Sequence, residues 1–317
     1  MRPSLDDELR GDAASDDAFY TMAARLSRLS VDKHFDAYGD VDWDAPDMRV
    51  DATDARWTSM LDSVVDTDWY RGLTPEARAR YGLYRWAAAM KTGWHFENFL
   101  QRGLLAWVMR LPNGSPEFRY AHHEIVEESQ HTLMFQEFVN RSALPVRGMP
   151  WWARAAAELV VRPLALWAPA TFFFLVLAGE EPADHVQRQE LRHGTPHPLT
   201  ERIFRIHVTE EARHISFARS YLRRRVPRLR WLQRRLLAVQ VPVIMGIMAR
   251  LILVPPADLR RHVGLPRNVC RRAMHSPAGR RVLVDSVRNV RELCDELGLM
   301  TPSSRRTWRA WGLWPAR

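Results

Sequence analysis

Cysteine is scarce in this chain, which has two cysteines in 317 residues, Cys270 and Cys294. They form no CxxC pair and cannot supply a disulfide framework, so the usage fits a reducing compartment. The N-terminus, MRPSLDDELRGD, is acidic and has no apolar core, which excludes the pattern of a signal peptide. We therefore expect a cytoplasmic protein.

Lysine is equally scarce, because only Lys33 and Lys91 occur among 46 basic residues. The net charge of +9 and the pI near 10.2 thus come from arginine. An arginine bias of this kind also follows from the nucleotide composition of a gene. The charge alone therefore does not indicate a nucleic-acid partner, and we expect none.

The sequence also lacks a Gly-rich phosphate loop, a nucleophile elbow and a dinucleotide-binding fingerprint. Two stretches, 163–179 and 236–254, are apolar enough to raise the question of a membrane span. The first runs directly into Glu180, and the second contains Gln240, Pro242 and Arg250. Because buried helices of a bundle have the same composition at this length, we expect no membrane partner.

What the sequence does contain is a Glu-x-x-His pair in two copies, Glu128 with His131 and Glu211 with His214. A solitary glutamate precedes each pair at the same distance, since 128 − 97 = 31 and 211 − 180 = 31. Both solitary glutamates, Glu97 and Glu180, interrupt an apolar helical stripe, where an acid needs a partner. Four-helix di-metal sites take one lone glutamate from each of two helices and a Glu-x-x-His pair from each of the other two.

The predicted loops place these residues at matching heights. Segments 111–117 (LPNGSPE) and 192–199 (RHGTPHPL) each break a helix pair, with the glutamates on either side. At about 1.5 Å per residue, the two carboxylates of each pair then meet in an antiparallel hairpin. We predict core helices near 83–110, 118–140, 169–191 and 200–225, with 155–161 as a helix in the crossover.

Four carboxylates and two imidazoles suit a pair of iron ions, and manganese less well. His207 lies one turn before Glu211, and we consider it either a seventh ligand or a core histidine. Three acids are candidates to hydrogen-bond the ligand histidines, and they are Asp184, Glu127 and Glu210. For Glu127 and Glu210 the alternative is a solvent-facing charge. Glu181 would replace Glu180 as the metal ligand if that helix were rotated by one position.

The complete set resembles that of the p-aminobenzoate N-oxygenase family of non-haem di-iron proteins: Glu97, Glu128, His131, Glu180, His207, Glu211 and His214. The resemblance covers about 83–225. It implies an all-α, ferritin-like four-helix bundle with a di-iron site, in which His207 is a metal ligand. It also implies oxidation of an arylamine toward a nitro compound. We divide the chain into an Asp-rich N-terminal extension (1–57), the ferritin-like di-iron core bundle (58–226) and Arg-rich C-terminal helices that pack on the bundle (227–317).

The expected activity is that of an O₂-dependent di-iron oxygenase acting on a small organic substrate. An external electron donor is expected, because the chain shows neither a dinucleotide fingerprint nor a cysteine cluster. A homodimer is compatible with this activity. Two alternatives stay open, a di-iron desaturase or hydroxylase for another substrate class, and a ferritin-like iron-binding protein without substrate chemistry.

Overall fold

The computed structural model describes residues 5–59 and 61–315, with side chains from residue 16 onward, and these residues contain no β-strand. The prediction of an all-α protein whose central bundle is extended by N- and C-terminal helices is confirmed. In chain order the helices are α1 (Leu5–Asp32), α2 (Asp68–Arg71), α3 (Pro75–Val108), α4 (Pro116–Ser142), α5 (Trp151–Trp167), α6 (Pro169–His193), α7 (Pro198–Arg225), α8 (Trp231–Leu253), α9 (Ala257–His262), α10 (Arg267–His275), α11 (Pro277–Asp285), α12 (Arg288–Glu296) and α13 (Pro302–Ala310). Short 3₁₀ turns occupy Pro46–Met48, Ala55–Trp57 and Ser63–Asp66.

Two helical hairpins form the centre of the molecule. Helix α3 packs along α4 and helix α6 along α7, while α3 meets α6 and α4 meets α7 across the hairpins. Proline occupies the first position of α4 and of α7, where its fixed φ is compatible with a helix and its missing N–H is not needed. The two loops are thus the ones that the sequence predicts.

Helix α3 begins at Pro75, well before the start near residue 83 that we predicted. The Thr74 side chain accepts a hydrogen bond from the Ala77 N–H and Pro75 occupies the first position, so this residue pair caps the start of the long helix. Gly82 lies in its first half, directly against the backbone of Trp57. A Cβ on Gly82 would lie 2.3 Å from the Trp57 carbonyl oxygen, so only glycine permits this close approach.

Helix α5 is also longer than the predicted 155–161 segment, since it continues through Pro163 to Trp167. It packs on α3 and α6, and α8 also packs on α6. The segment Trp231–His262, which includes α8, is the one described segment that is long and apolar enough to cross a membrane. Half of its most apolar window is buried in the protein.

The terminal helices cover the bundle. Helix α1 packs on α4 and α7, where Arg224 donates hydrogen bonds to Asp16, at 2.5 Å, and to Glu117, at 2.8 Å. At the other end of the chain α13 packs on α8, with Trp308 fully buried and the Trp311 ring against Gly246. Trp308 and Trp311 therefore pack the C-terminal tail onto the rest of the protein.

Candidate metal centre

The interior of the bundle contains seven buried acidic and imidazole side chains at one level. Helix α3 contributes Glu97, α4 contributes Glu128 and His131, α6 contributes Glu180, and α7 contributes His207, Glu211 and His214; none of them is more than 2% exposed. The structure thus brings together all seven residues that the sequence singles out. They form three overlapping groups whose candidate ligand atoms lie within 4.8 Å of one another.

Both hairpins contribute residues to each of the three groups. One group combines Glu97 and His131 of the first hairpin with His207 and Glu211 of the second. A second group contains Glu128, Glu211 and His214, and a third contains Glu97, Glu128 and Glu180. Because glutamates recur in more than one group, the arrangement suits two cations that share carboxylates.

The donor atoms fit such cations. Three buried carboxylate oxygens of the cluster have no hydrogen-bond partner: Glu97 Oε2, Glu180 Oε1 and Glu211 Oε2. A buried carboxylate oxygen without a partner is costly, so these atoms call for a positive ligand. The oxygen-rich set with imidazole nitrogens suits iron or manganese.

Two of the histidines are oriented by glutamates of the opposite hairpin. His131 Nε2 lies 2.8 Å from Glu210 Oε2, and His214 Nε2 lies 2.7 Å from Glu127 Oε2. Their Nδ1 atoms point into the cluster, where His131 Nδ1 is 3.0 Å from Glu128 Oε2 and His214 Nδ1 is 2.9 Å from Glu128 Oε1. The outer carboxylates therefore leave Nδ1 as the atom directed at a metal.

Arg213 completes this outer arrangement and was not anticipated from the sequence. Its guanidinium donates to Glu127 Oε1 at 2.7 Å and lies 3.4 Å from Glu210 Oε1. One buried arginine thus neutralises and connects both outer glutamates. A signal was present, because Arg213 stands between Glu211 and His214, on the same buried helix.

His207 differs from the other two histidines. Its Nε2 lies 3.6 Å from Glu97 Oε1 and 3.7 Å from Glu211 Oε1, while no hydrogen bond anchors its Nδ1. Its ring lies 4.5 Å from that of His131. Burial lowers the pKa of His207 to about 4, so the imidazole is neutral and has a lone pair available.

The shifted pKa values of the cluster indicate that its four carboxylates are not all ionised unless positive charge lies among them. Burial, reinforced by neighbouring carboxylates, raises the pKa of Glu97 and of Glu180 well above its usual range. Burial by itself lowers the pKa of His131, but hydrogen bonds to Glu128 and Glu210 outweigh it and raise that pKa to about 10. Two divalent cations would balance four carboxylates without these protons.

Comparison with known proteins gives the family of this site. The model of the P-aminobenzoate N-oxygenase AurF family matches residues 16–298. The chain belongs to this family. It is 43% identical over 304 residues to an uncharacterized protein of Mycobacterium tuberculosis (strain CDC 1551 / Oshkosh), covering 94% of this chain and 88% of that protein. An uncharacterized protein of Mycobacterium bovis is 42% identical over the same coverage. No solved structure gives a significant match.

In this member of the family, two of the weighed acids lie away from the cluster. Asp184, which we expected to hydrogen-bond a ligand histidine, instead accepts hydrogen bonds from Arg188 Nε at 2.7 Å, because Arg188 stands one turn away. Glu181 pairs with Arg219 and accepts a hydrogen bond from Asn289. Glu180, and not Glu181, therefore faces the other carboxylates.

A further buried acid lies beside the centre. Glu124 occupies on α4 the position that His207 occupies on α7, and it lies outside the three ligand groups. Burial raises the pKa of Glu124 to about 8. The side chain therefore holds a proton near neutrality, next to the His214 side of the cluster.

A cavity of about 100 Å³ adjoins the other side of the centre. Glu97, Glu180 and His207 form part of its wall, and the rest is mainly apolar, with Trp86, Met90, Val186, Phe204, Met248 and Ile252 among the lining residues. Arg85 of α3 and Asp62, which precedes the 3₁₀ turn Ser63–Asp66, also line it, with Arg85 Nε 3.5 Å from Asp62 Oδ2. The centre is thus reachable by a small, largely apolar molecule.

Proposed function

We propose that this protein is an O₂-dependent di-iron oxygenase that oxidises a small, largely apolar substrate, with the nitrogen of an arylamine as the reacting atom. The observation that carries the proposal is the cluster of seven buried side chains beside a cavity that reaches three of them. Membership of the N-oxygenase family supports the same reaction class.

In this proposal Glu97, Glu128, Glu180 and Glu211 would hold the two irons. His131 and His214 would bind them through Nδ1, and His207 through Nε2, the nitrogen that faces Glu97 and Glu211. When bound, the two irons supply the electrons and coordination positions with which O₂ is activated. The protein's own contribution is a rigid donor set, since Glu127, Glu210 and Arg213 fix the imidazoles before any metal arrives.

The cavity determines how a substrate meets the site. Only its wall of Glu97, Glu180 and His207 belongs to the centre, so we expect the reacting atom at that wall and the apolar body along Trp86, Met90 and Phe204. Arg85 precedes Glu97 by 97 − 85 = 12 residues, roughly 18 Å along α3. A polar group at the far end of a substrate would therefore meet Arg85 and Asp62 only if the substrate is elongated.

The balance of the first oxidation requires a reductant. Conversion of an amine to a hydroxylamine follows R–NH₂ + O₂ + 2 e⁻ + 2 H⁺ → R–NHOH + H₂O, in which one oxygen atom enters the substrate and the other leaves as water. Cys270 and Cys294 are buried and lie on different helices, so they form no redox pair. We therefore propose an external one- or two-electron donor.

The test is product analysis after anaerobic loading with ferrous iron, followed by a chemical reductant and ¹⁸O₂. We expect a panel of arylamines to yield products that contain ¹⁸O, and we expect Glu128→Ala to yield none. Glu201→Ala is the matched control, because Glu201 lies on α7 but pairs with Arg205 at the surface. Its products should equal those of the parent.

A parallel panel of acyl substrates tests the desaturase or hydroxylase alternative, which the apolar cavity wall favours. Full iron loading without an oxygenated product from either panel would contradict an oxygenase. A ferritin-like store would in addition show a multi-subunit mass by light scattering.

A further inference from the structure

The exposed apolar side chains of this protein are concentrated on two helices. Nine of the seventeen exposed large apolar residues in the described part of the chain lie on α5 and α8: Trp151, Trp152, Leu159, Val160, Trp167, Trp231, Leu232, Leu236 and Val239. Trp151 and Trp167 are both 74% exposed, and Trp231 is 68% exposed. We call this surface the α5–α8 face. An exposed apolar patch of this extent marks an interaction site.

The two helices present these side chains on one side of the molecule. Helix α5 ends at Trp167 and α6 begins at Pro169, where Thr171 donates a hydrogen bond to Gln240 of α8 at 3.3 Å. The exposed first half of α8 therefore lies beside the end of α5. Both helices also line a second cavity, of about 180 Å³, through Trp152 and Val160 of α5 and Ile247 and Leu251 of α8.

The charge of the face is positive. Arg154, Arg162, Arg230 and Arg235 are exposed on or next to the two helices, and none of them pairs with an acid within the described residues. Helix α8 contains no acidic residue, and the one acid of α5, Glu158, pairs with Arg102 at 2.6 Å. A two-fold dimer through this face would place arginine against arginine, since such a contact joins the same patch of both copies.

Tryptophan and arginine together suit a different partner. Tryptophan is enriched where apolar lipid meets water, and arginine is attracted to anionic headgroups. We propose that the α5–α8 face docks on the surface of an anionic lipid bilayer. Helix α8 then lies on the membrane and does not cross it, because its inner side is packed against α6 and α13.

The second cavity would connect the docked face with the cavity at the metal centre. It is apolar and shares Phe96, Met149 and Met248 with the cavity at the metal centre. A molecule that enters the second cavity from the bilayer, past Trp152 and Val160, would therefore reach these three shared side chains. They separate the second cavity from the one that Glu97 lines. Docking itself requires neither iron nor turnover, so it stands or fails independently of the proposed oxygenase.

The test is flotation of the full-length protein with vesicles of phosphatidylcholine alone and of phosphatidylcholine with phosphatidylglycerol. We expect binding to the anionic vesicles that weakens at high salt, and much weaker binding to the neutral ones. The double variant Trp167→Ser/Leu232→Ser should lose most of this binding. Arg162→Gln and Arg235→Gln should each lower it about fivefold and reduce its salt dependence.

The control is Val126→Ser/Leu133→Ser, which removes two exposed apolar residues from α4, away from the α5–α8 face, and should leave vesicle binding unchanged. Circular dichroism verifies that each variant is folded. Failure of the parent to float with anionic vesicles would overturn the proposal, as would flotation that the face variants do not weaken. A dimer in light scattering that Trp167→Ser/Leu232→Ser dissociates, without vesicle binding, would assign the face to a second copy of the chain.

Discussion

At the scale of single residues, the position of the imidazoles depends on two crossed contacts, from Glu210 to His131 and from Glu127 to His214. We expect Glu210→Gln to keep the fold but to weaken iron binding by about 10- to 100-fold, because the amide is a poorer partner for the imidazole N–H. Anaerobic titration with ferrous iron measures this. Glu201→Gln, at the surface of the same helix, should bind iron like the parent.

His207 tests whether the two metal positions are unequal. Its Nδ1 makes no hydrogen bond and its Nε2 lies beyond hydrogen-bond distance of Glu97 and Glu211, so its removal breaks no hydrogen bond of the ring. We expect His207→Ala to retain the carboxylate-rich position and to lose about half of the iron, with turnover strongly reduced. Metal analysis showing two full-occupancy irons and unchanged activity would return His207 to the role of a core histidine.

The residues that lie together in the cluster were predictable because helical spacing puts every fourth or third residue on one face. Orientation of the acids around them was harder to predict. Asp184 lies on the expected face, but its carboxylate accepts a hydrogen bond from Arg188, one turn away, and not from a ligand histidine. Glu127 and Glu210 reach histidines of the opposite hairpin, and spacing within one helix says nothing about that contact.

At the scale of helices, α3 and α6 approach closely where Gly179 meets the Phe96 ring. A Cβ on Gly179 would lie 1.9 Å from Phe96 Cζ. Alanine normally stabilises a helix relative to glycine, but here we expect Gly179→Ala to destabilise the protein by about 1 to 3 kcal/mol, because the ring has to move. Urea unfolding measures the change.

The matched test is the pair Phe96→Leu and Phe96→Leu/Gly179→Ala. If the clash is the cause, Gly179→Ala costs much less in the Phe96→Leu background than in the parent, and the two changes are not additive. Equal costs in both backgrounds would contradict the assignment. Since Phe96 lines both cavities, the same variants also alter the space beside the metal centre.

Helix ends were less predictable than helix existence. A proline inside a helical pattern predicts a break, but α5 continues through Pro163, where packing on α3 and α6 outweighs the lost hydrogen bond. The predicted start of α3, near residue 83, was too late, although Thr74 and Pro75 form an N-terminal capping pair. Tertiary contacts such as that between Trp57 and Gly82 help to decide where a helix begins, and a single sequence does not show such contacts.

At the scale of the whole molecule, the two hairpins meet at a cluster of four buried carboxylates, which cations bound between them would hold together. Each ligand group that contains His131 or His214 draws on both hairpins. Iron should therefore tie α3 and α4 to α6 and α7, and a ligand that binds only the folded chain stabilises it by mass action. At a free iron concentration of 100 times Kd, the gain is about 2.7 kcal/mol for each site.

We accordingly expect anaerobic ferrous iron to raise the melting temperature in differential scanning calorimetry, and a chelator to reverse the rise. Glu128→Ala removes a carboxylate that belongs to two of the three groups, so its melting temperature should respond little to iron. Glu201→Ala should show the full rise. A rise of equal size in Glu128→Ala would mean that iron stabilises the protein from another place, and that the central cluster does not join the hairpins through metal.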